Sequence, residues 1–355
     1  MPRLLLAGYF GSGNLGDDAI MMGFVEALRD KPYEMRVIAG SPERLMRNNG
    51  IVGVPKTDMG AIKNALEDCD ALVFPGGSIF QDVTSTRSVM YYANLVDMAK
   101  KAGKKVILLG QGIGPLTHFL GKRFAVAAFN KADVIAVRDP ASVATLKALG
   151  YKGTPRVTAD MAFLLPKPTM PAEGSSFGVA NMKTVGVSCR PVSGDKNIVK
   201  VFGDLVRLLY QANYVPVMLP MDEVEDRKLL DEIAKAHGGK VPELKGISTP
   251  KQMQERIMRM EGVIGMRLHA GILAATVDVP AYMVSYDPKV NAFANLMGFP
   301  APLSVQGVTA QRIFDGFQAF IKDRDKVAAS LERRRAELST AAMANIQLLD
   351  ACFGK

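Results

Sequence analysis

The chain has 355 residues, 48% hydrophobic and 22% charged, the balance of an ordinary globular protein, and its length predicts two domains. With 44 basic and 35 acidic residues the net charge is +9, which suits an anionic substrate or an anionic membrane surface. Three scattered cysteines, no tryptophan, no apolar run of bilayer length and no nucleic-acid-binding signature argue against a disulfide scaffold, a cysteine zinc site, a membrane-spanning protein and a nucleic-acid module. The apolar run at Leu4-Leu5-Leu6 is too short for a signal peptide, so a reducing, cytoplasmic location is expected.

In chain order, Arg3-Leu4-Leu5-Leu6-Ala7-Gly8-Tyr9-Phe10 reads as a buried strand, Gly11 to Asp18 as a loop, and Ala19 to Arg29 as a helix. Strand-like runs follow at 35–39, 71–74, 106–109 and 134–137, with helical segments at 61–66, 89–100, 119–130 and 141–149 between them. This alternation predicts a parallel α/β sheet over 1–165. Pro166 to Lys183 holds three prolines and no periodicity, and reads as an interdomain linker. A second alternation occupies 184–308, with strands at 185–188, 215–219, 262–264 and 281–285. The tail, 309–355, is helical, and its apolar face is expected to run back to the first domain. The expected fold is α/β, with two Rossmann-like domains facing across a cleft in the GT-B-like manner.

Ligands of parallel sheets bind beyond the carboxyl ends of the strands, so the strand-end sequences carry the information. Three are glycine-rich: Gly11-Ser12-Gly13-Asn14-Leu15-Gly16-Asp17-Asp18, Gly76-Gly77-Ser78, and Gly110-Gln111-Gly112-Ile113-Gly114. Two others present cations, at Arg138-Asp139-Pro140 and at Gly265-Met266-Arg267-Leu268-His269. The first matches Gly-x-Gly-x-x-Gly, but the second strand ends Ile38-Ala39-Gly40-Ser41 without the acid that would hold a ribose. The loop also ends in Asp17 and Asp18, where a pyrophosphate would sit; both points count against a dinucleotide. One of these two carboxylates is expected to cap the helix, leaving the other for sugar hydroxyls or base catalysis. His118, His237 and His269 are too far apart in sequence to suggest a metal site, and Ser78 lacks the context of a hydrolase nucleophile. Lys289 is either a solvated lysine at a helix start or a fourth cation, with Arg138, Arg267 and His269, for an anion.

Taken together, the sequence resembles the polysaccharide pyruvyl transferases of the bacterial cell-wall type. The resemblance rests on Gly8-Tyr9-Phe10-Gly11-Ser12-Gly13-Asn14-Leu15-Gly16-Asp17-Asp18, Gly76-Gly77-Ser78-Ile79-Phe80-Gln81-Asp82, Gly110-Gln111-Gly112-Ile113-Gly114-Pro115, Val137-Arg138-Asp139-Pro140, Ala159-Asp160-Met161-Ala162-Phe163 and Met266-Arg267-Leu268-His269-Ala270. It implies a GT-B-like fold, phosphoenolpyruvate as donor, a ketal-linked pyruvate product, and no metal or cofactor. It also implies an acceptor such as N-acetylmannosamine in a lipid-linked precursor, met at the inner face of the plasma membrane. By motif, Arg138, His269 and Lys289 bind the donor with Arg267 beside them, and His269 is the candidate acid. Asp17 is the candidate for the acceptor hydroxyl. Gly11, Gly13, Asn14, Gly76, Gly77, Ser78, Gln111 and Gly112 are expected to line the substrate loops. A GT-B glycosyltransferase using a nucleotide sugar, or a non-catalytic sensor of phosphorylated metabolites, is the competing reading. For the membrane, the basic region Lys100, Lys101, Lys104, Lys105, Lys122 and Arg123 is the expected contact, with a solvated face as the alternative.

Overall fold

A computed structural model describes residues 1–83, 85–169, 183–192 and 197–355. The chain divides into two compact units, one formed by Met1–Leu165 with Leu338–Lys355, the other by Pro166–Glu337. The linker expected over 166–183 lies for its larger part, 170–182, outside the described residues.

The first unit alternates strand and helix: β1 (Arg3–Phe10), α1 (Leu15–Ala27), β2 (Glu34–Ala39), α2 (Pro42–Asn49), β3 (Gly53–Pro55), α3 (Met59–Asp68), β4 (Ala71–Phe74), β5 (Gly77–Phe80), α4 (Thr86–Lys101), β6 (Lys105–Ile113), α5 (Phe119–Lys131), β7 (Val134–Val137), α6 (Pro140–Ala148) and β8 (Arg156–Val157). Its strands lie in the order β3-β2-β1-β4-β6-β7-β8, with β5 on the far end of β6, and the pairs are parallel. Successive strand side chains face opposite ways, so one run of apolar residues supplies two cores. Leu5, Leu72 and Leu108 enter one layer, whereas Leu4, Leu6, Val73 and Leu109 enter the other. A sheet buried on both faces requires continuous apolar strands, which is what Leu4-Leu5-Leu6 and Val106-Ile107-Leu108-Leu109 provide. The strand order reverses between β1 and β4, placing a switch point beside the loops after those two strands.

The second unit runs β9 (Lys183–Ser188), α7 (Ile198–Gln211), β10 (Tyr214–Met218), α8 (Glu225–His237), α9 (Pro250–Ile257), β11 (Gly262–Gly265), α10 (Leu268–Thr276), β12 (Ala281–Ser285), α11 (Pro288–Met297), β13 (Leu303–Ser304) and α12 (Ala310–Ile321). Its sheet order is β10-β9-β11-β12-β13, again parallel, with the reversal between β9 and β11. The last helix, α13 (Arg324–Cys352), begins in this unit and ends in the first. There Ile346 and Leu349 join the core beside Phe24 and Leu28, so the tail does return to the first domain.

Most helices begin with a side-chain cap. Ser41, Asp58, Ser85, Asp139, Thr249, Asp287 and Thr309 each accept a backbone N–H from the first turn. At α2, α6, α9 and α11 the cap is followed by a proline whose fixed φ suits the first helical position. Arg138-Asp139-Pro140 and Tyr286-Asp287-Pro288 are therefore one device used twice: a functional-type side chain at a strand end, fixed by the capped helix that follows.

Candidate active site

In the first unit the site is built from the loops after β1 and β4, the strand β5, the carboxyl half of β6, and Arg138 after β7. Gly11 and Gly13 have φ of +60° and +91°, a left-handed backbone that glycine adopts without strain. The Gly11 N–H donates to Asp18 Oδ1 at 2.8 Å. Asn14, not an aspartate, caps α1, its Oδ1 accepting from Gly16 N at 2.9 Å and Asp17 N at 3.3 Å. This corrects the expectation that Asp17 or Asp18 caps the helix. Asp18 instead turns inward, and burial pushes its carboxyl from 3.8 up to about 7, with the Gly11 N–H pulling down and neighbouring Asp17 pushing up. Asp17 stays half-exposed, and its Oδ1 lies 3.4 Å from where a Cβ on Gly77 would be. The candidate hydroxyl acceptor and the glycine pair thus meet at the switch point. Gly76 and Gly77 have φ of +148° and +94°.

Ser78, Gly112 and Arg138 also come together. Arg138 is buried; its Nη1 donates to Asp160 Oδ2 and its Nη2 to Ser78 Oγ, both at 2.9 Å, with Asp139 Oδ2 3.7 Å from Nε. A Cβ on Gly112 would stand 2.6 Å from Arg138 Nη2 and 2.7 Å from Ser78 Oγ, so the glycine makes room for this pair. Gln111 is fully buried, and its Nε2 donates to the carbonyls of Phe74 and Leu109, both at 3.0 Å. It holds β4 to β6 below the site. Lys56, after β3, donates to Ser12 Oγ at 3.1 Å and lies 4.9 Å from the Tyr9 ring centre, adding a cation to this edge.

In the second unit the carboxyl ends of β9, β11 and β12 bring cations together. Arg267, which precedes α10, is buried against α8: its Nη2 donates to Glu225 Oε2 at 2.9 Å and its Nε to Asp226 Oδ1 at 3.1 Å. Burial would lower its pKa, but Asp226 and Glu225 outweigh this and hold it above the ordinary guanidinium value. Its charge is thus matched within the protein. His269 sits half-buried in the first turn of α10. Lys289 lies in the first turn of α11, its Nζ 3.7 Å from Asp287 Oδ2 and 5.5 Å from the Tyr286 ring centre.

Arg190, two residues after β9, is a candidate site residue that the sequence reading did not pick out. Its guanidinium lies 4.6 Å from the Tyr286 ring centre, and its Nη1 donates to Tyr286 Oη at 3.0 Å. Glu225, 3.8 Å from Arg190 Nη2, also bonds Arg267 and so links the two arginines. The signal was present: Ser188-Cys189-Arg190 puts an arginine at a strand end, the reasoning that selected Arg138. Lys56 escaped because β3 is only three residues long. Among the described residues, no three His, Cys, Asp or Glu side chains are placed to hold a metal ion.

Comparison with known proteins agrees with this fold. In solved structures, the S. aureus MnaA–UDP complex superposes with a TM-score of 0.66 at 13% identity, over 99% of this chain and 95% of that one. CalG4, the calicheamicin glycosyltransferase, gives a TM-score of 0.53 at 13% identity, over 100% and 99%. At such identities the likeness carries the GT-B-like fold and nothing finer. In sequence, the amylovoran biosynthesis protein AmsJ of Erwinia amylovora is 22% identical, over 88% of this chain and 89% of its own. The profile of the polysaccharide pyruvyl transferases matches residues 14–288, which takes in the glycines at 76–77 and 110–114, Arg138, Arg190 and His269, and on that match the chain belongs to the polysaccharide pyruvyl transferase family.

Proposed function

We propose that the protein moves the pyruvyl group of phosphoenolpyruvate onto two hydroxyls of one sugar, forming a ketal and releasing phosphate. The observation that carries this is the cationic group at the carboxyl edge of the second sheet, Arg190 and Lys289 around Tyr286, with His269 in the helix turn after the neighbouring strand β11, in a chain of this family. Phosphoenolpyruvate carries a carboxylate and a phosphate, and fixed cations suit both. Arg267, already matched by Asp226 and Glu225, is assigned to holding the turn before His269.

In this reading a proton adds to the methylene carbon of the donor while a sugar hydroxyl attacks the central carbon and gives up its own proton. The C–O bond to phosphate then breaks, and phosphate leaves with the bonding pair. A second hydroxyl of the same sugar attacks that carbon, and its proton goes to the departing phosphate. His269 supplies or returns the proton, a role worth about 10²–10⁴-fold in rate. Asp17, half-exposed beside Gly77, receives the hydroxyl proton. The activated enol is already in the donor, so the reading needs no resident metal or cofactor. The acceptor we favour is an N-acetylmannosamine residue of a lipid-linked cell-wall precursor, met at the cytoplasmic face of the membrane.

The test is phosphate release from phosphoenolpyruvate with candidate acceptors, beside thermal stabilisation by phosphoenolpyruvate, UDP and UDP-sugars. Lys289→Ala and Arg190→Ala are each expected to raise KM for phosphoenolpyruvate by about 10- to 100-fold, the range for one charge-assisted hydrogen bond. His269→Gln should lower kcat and leave KM nearly unchanged. Stabilisation by UDP-sugars but not by phosphoenolpyruvate would replace this reading with glycosyl transfer.

A further inference from the structure

We propose that the first turn of α5 and Val83, which follows β5, form a docking face for an anionic lipid bilayer. Three large apolar side chains stand in solvent there: Phe119 at 74% exposure, Val83 at 65% and Leu120 at 54%. Their outward placement is fixed by the structure beneath them. Asp82 is buried and accepts from Thr117 N at 2.7 Å and His118 N at 2.8 Å, tying the β5 loop to the start of α5. Gly121 faces this carboxylate so closely that a Cβ would stand 2.4 Å from Asp82 Oδ2. With Gly121 turned inward, helical phase directs Phe119 and Leu120 outward, together with Lys122 and Arg123.

The charge around this face has one sign. Arg87, Lys122 and Arg123 are exposed, and the only acid in the segments 81–90 and 114–127 is the buried Asp82. Apolar side chains rimmed by cations on a short amphipathic turn match the interface of an anionic leaflet. Among the described residues no helix is long and apolar enough to cross a membrane, so contact here would be peripheral. The rest of the basic region expected from the sequence lies elsewhere. Lys100, Lys104 and Lys105 sit where α4 ends and β6 begins, the opposite edge of the sheet, and are engaged by Asp133, the Glu67 carbonyl and the Cys352 carbonyl. The α5 face lies at the carboxyl edge, which also carries Ser78, Asp17 and Arg138. This placement rests on the pyruvyl-transfer reading, since a lipid-linked sugar would then reach the site from the bilayer.

The experiment is flotation of the full chain with vesicles of phosphatidylcholine alone or with about 30 mol % phosphatidylglycerol, at about 0.05 and 0.5 M salt. Neither donor nor acceptor is present, so the result is independent of the reaction. The protein is expected to float with the anionic vesicles at low salt. Phe119→Ser/Leu120→Ser should lower partitioning by at least about tenfold. Lys122→Gln/Arg123→Gln should abolish the preference for anionic vesicles, and Lys100→Gln/Lys101→Gln should change nothing. Turnover of Phe119→Ser/Leu120→Ser on a water-soluble acceptor should match that of the parent, which separates docking from catalysis. Three results would overturn the proposal: no binding by the parent, undiminished binding by the serine variant, or loss of binding through Lys100 and Lys101. A serine variant that turns a dimer into a monomer while vesicle binding persists would assign the face to a second copy of the chain instead.

Discussion

Two of the candidate charged groups differ in what they cost the fold. Arg138 is buried with Asp160, so Arg138→Ala would leave a buried carboxylate without its cation and should cost about 3–5 kcal/mol of stability. A lower melting temperature is expected, with partial recovery when Asp160→Asn is added. An Arg138→Ala protein that melts with the parent would show that the pair contributes nothing to the fold. Lys289, with a side chain 27% exposed, is the cleaner position at which to test the proposed donor binding. Asp18 gives a pH signature of its own. Its folded pKa of about 7 stands above the ordinary 3.8, so the native state keeps a proton that the unfolded chain releases. Stability is then lost as pH rises from about 4 to about 7, and the loss is complete above that window, with a ceiling on the order of 4 kcal/mol. Asp18→Asn keeps an oxygen for the Gly11 N–H and removes the titration. Its melting temperature should equal the parent's near pH 4 and exceed it at pH 8. A difference independent of pH would show that Asp18 is not held protonated.

At the level of elements, the sequence was legible where apolar period and caps agreed. The spans expected for β1, β4, β7 and β12 coincide with the structure, because continuous apolar runs between turn residues leave little choice of register. Glycine was the main source of error. Gly76-Gly77-Ser78 and Gly110-Gln111-Gly112-Ile113 read as loops, yet β5 occupies 77–80 and β6 continues to Ile113. Glycine there serves close packing rather than a turn: Gly112 gives its Cβ space to Arg138 and Ser78, a reason that sequence spacing does not reveal. Helix α2 has a single buried side chain, Leu45, and β3 only three residues, so neither produced a readable period. For the candidate site, strand-end logic selected Arg138, Arg267, His269 and Lys289. It could not tell which cations were already matched, since Asp160 and Asp226 pair with arginines 22 and 41 residues away. It missed Arg190, whose partner Tyr286 is 96 residues distant and enters only through the parallel order β9-β11-β12.

For the whole molecule, the decisive feature is that the first unit is closed by the other end of the chain. Residues 338–355 supply Ile346 and Leu349 to the layer beneath β1, β4 and β6, and burial of such side chains contributes about 1.5–3 kcal/mol each. Asn345 is fully buried there: its Oδ1 accepts from Thr158 Oγ1 at 2.8 Å, and its Nδ2 donates to the Ala159 carbonyl at 3.2 Å. Ala159 precedes Asp160, so the helix that completes the core also braces the carboxylate on Arg138. Lys31 and Tyr33 add bonds to Asp350 at 2.8 and 2.9 Å. Removing 338–355 would open an apolar face and take the Asn345 amide from the Ala159 carbonyl and Thr158 Oγ1, while the second unit keeps all its own strands. The truncated protein is therefore expected to unfold in two steps, the first at markedly lower urea than any transition of the full chain. Far-UV circular dichroism is the suitable probe, because the chain has no tryptophan. Adding the 338–355 peptide should move the early transition back toward the parent in a concentration-dependent way. If truncation left the urea profile unchanged, the tail would be an appendage, and the first unit would have to hold Arg138 and Asp160 in place by itself.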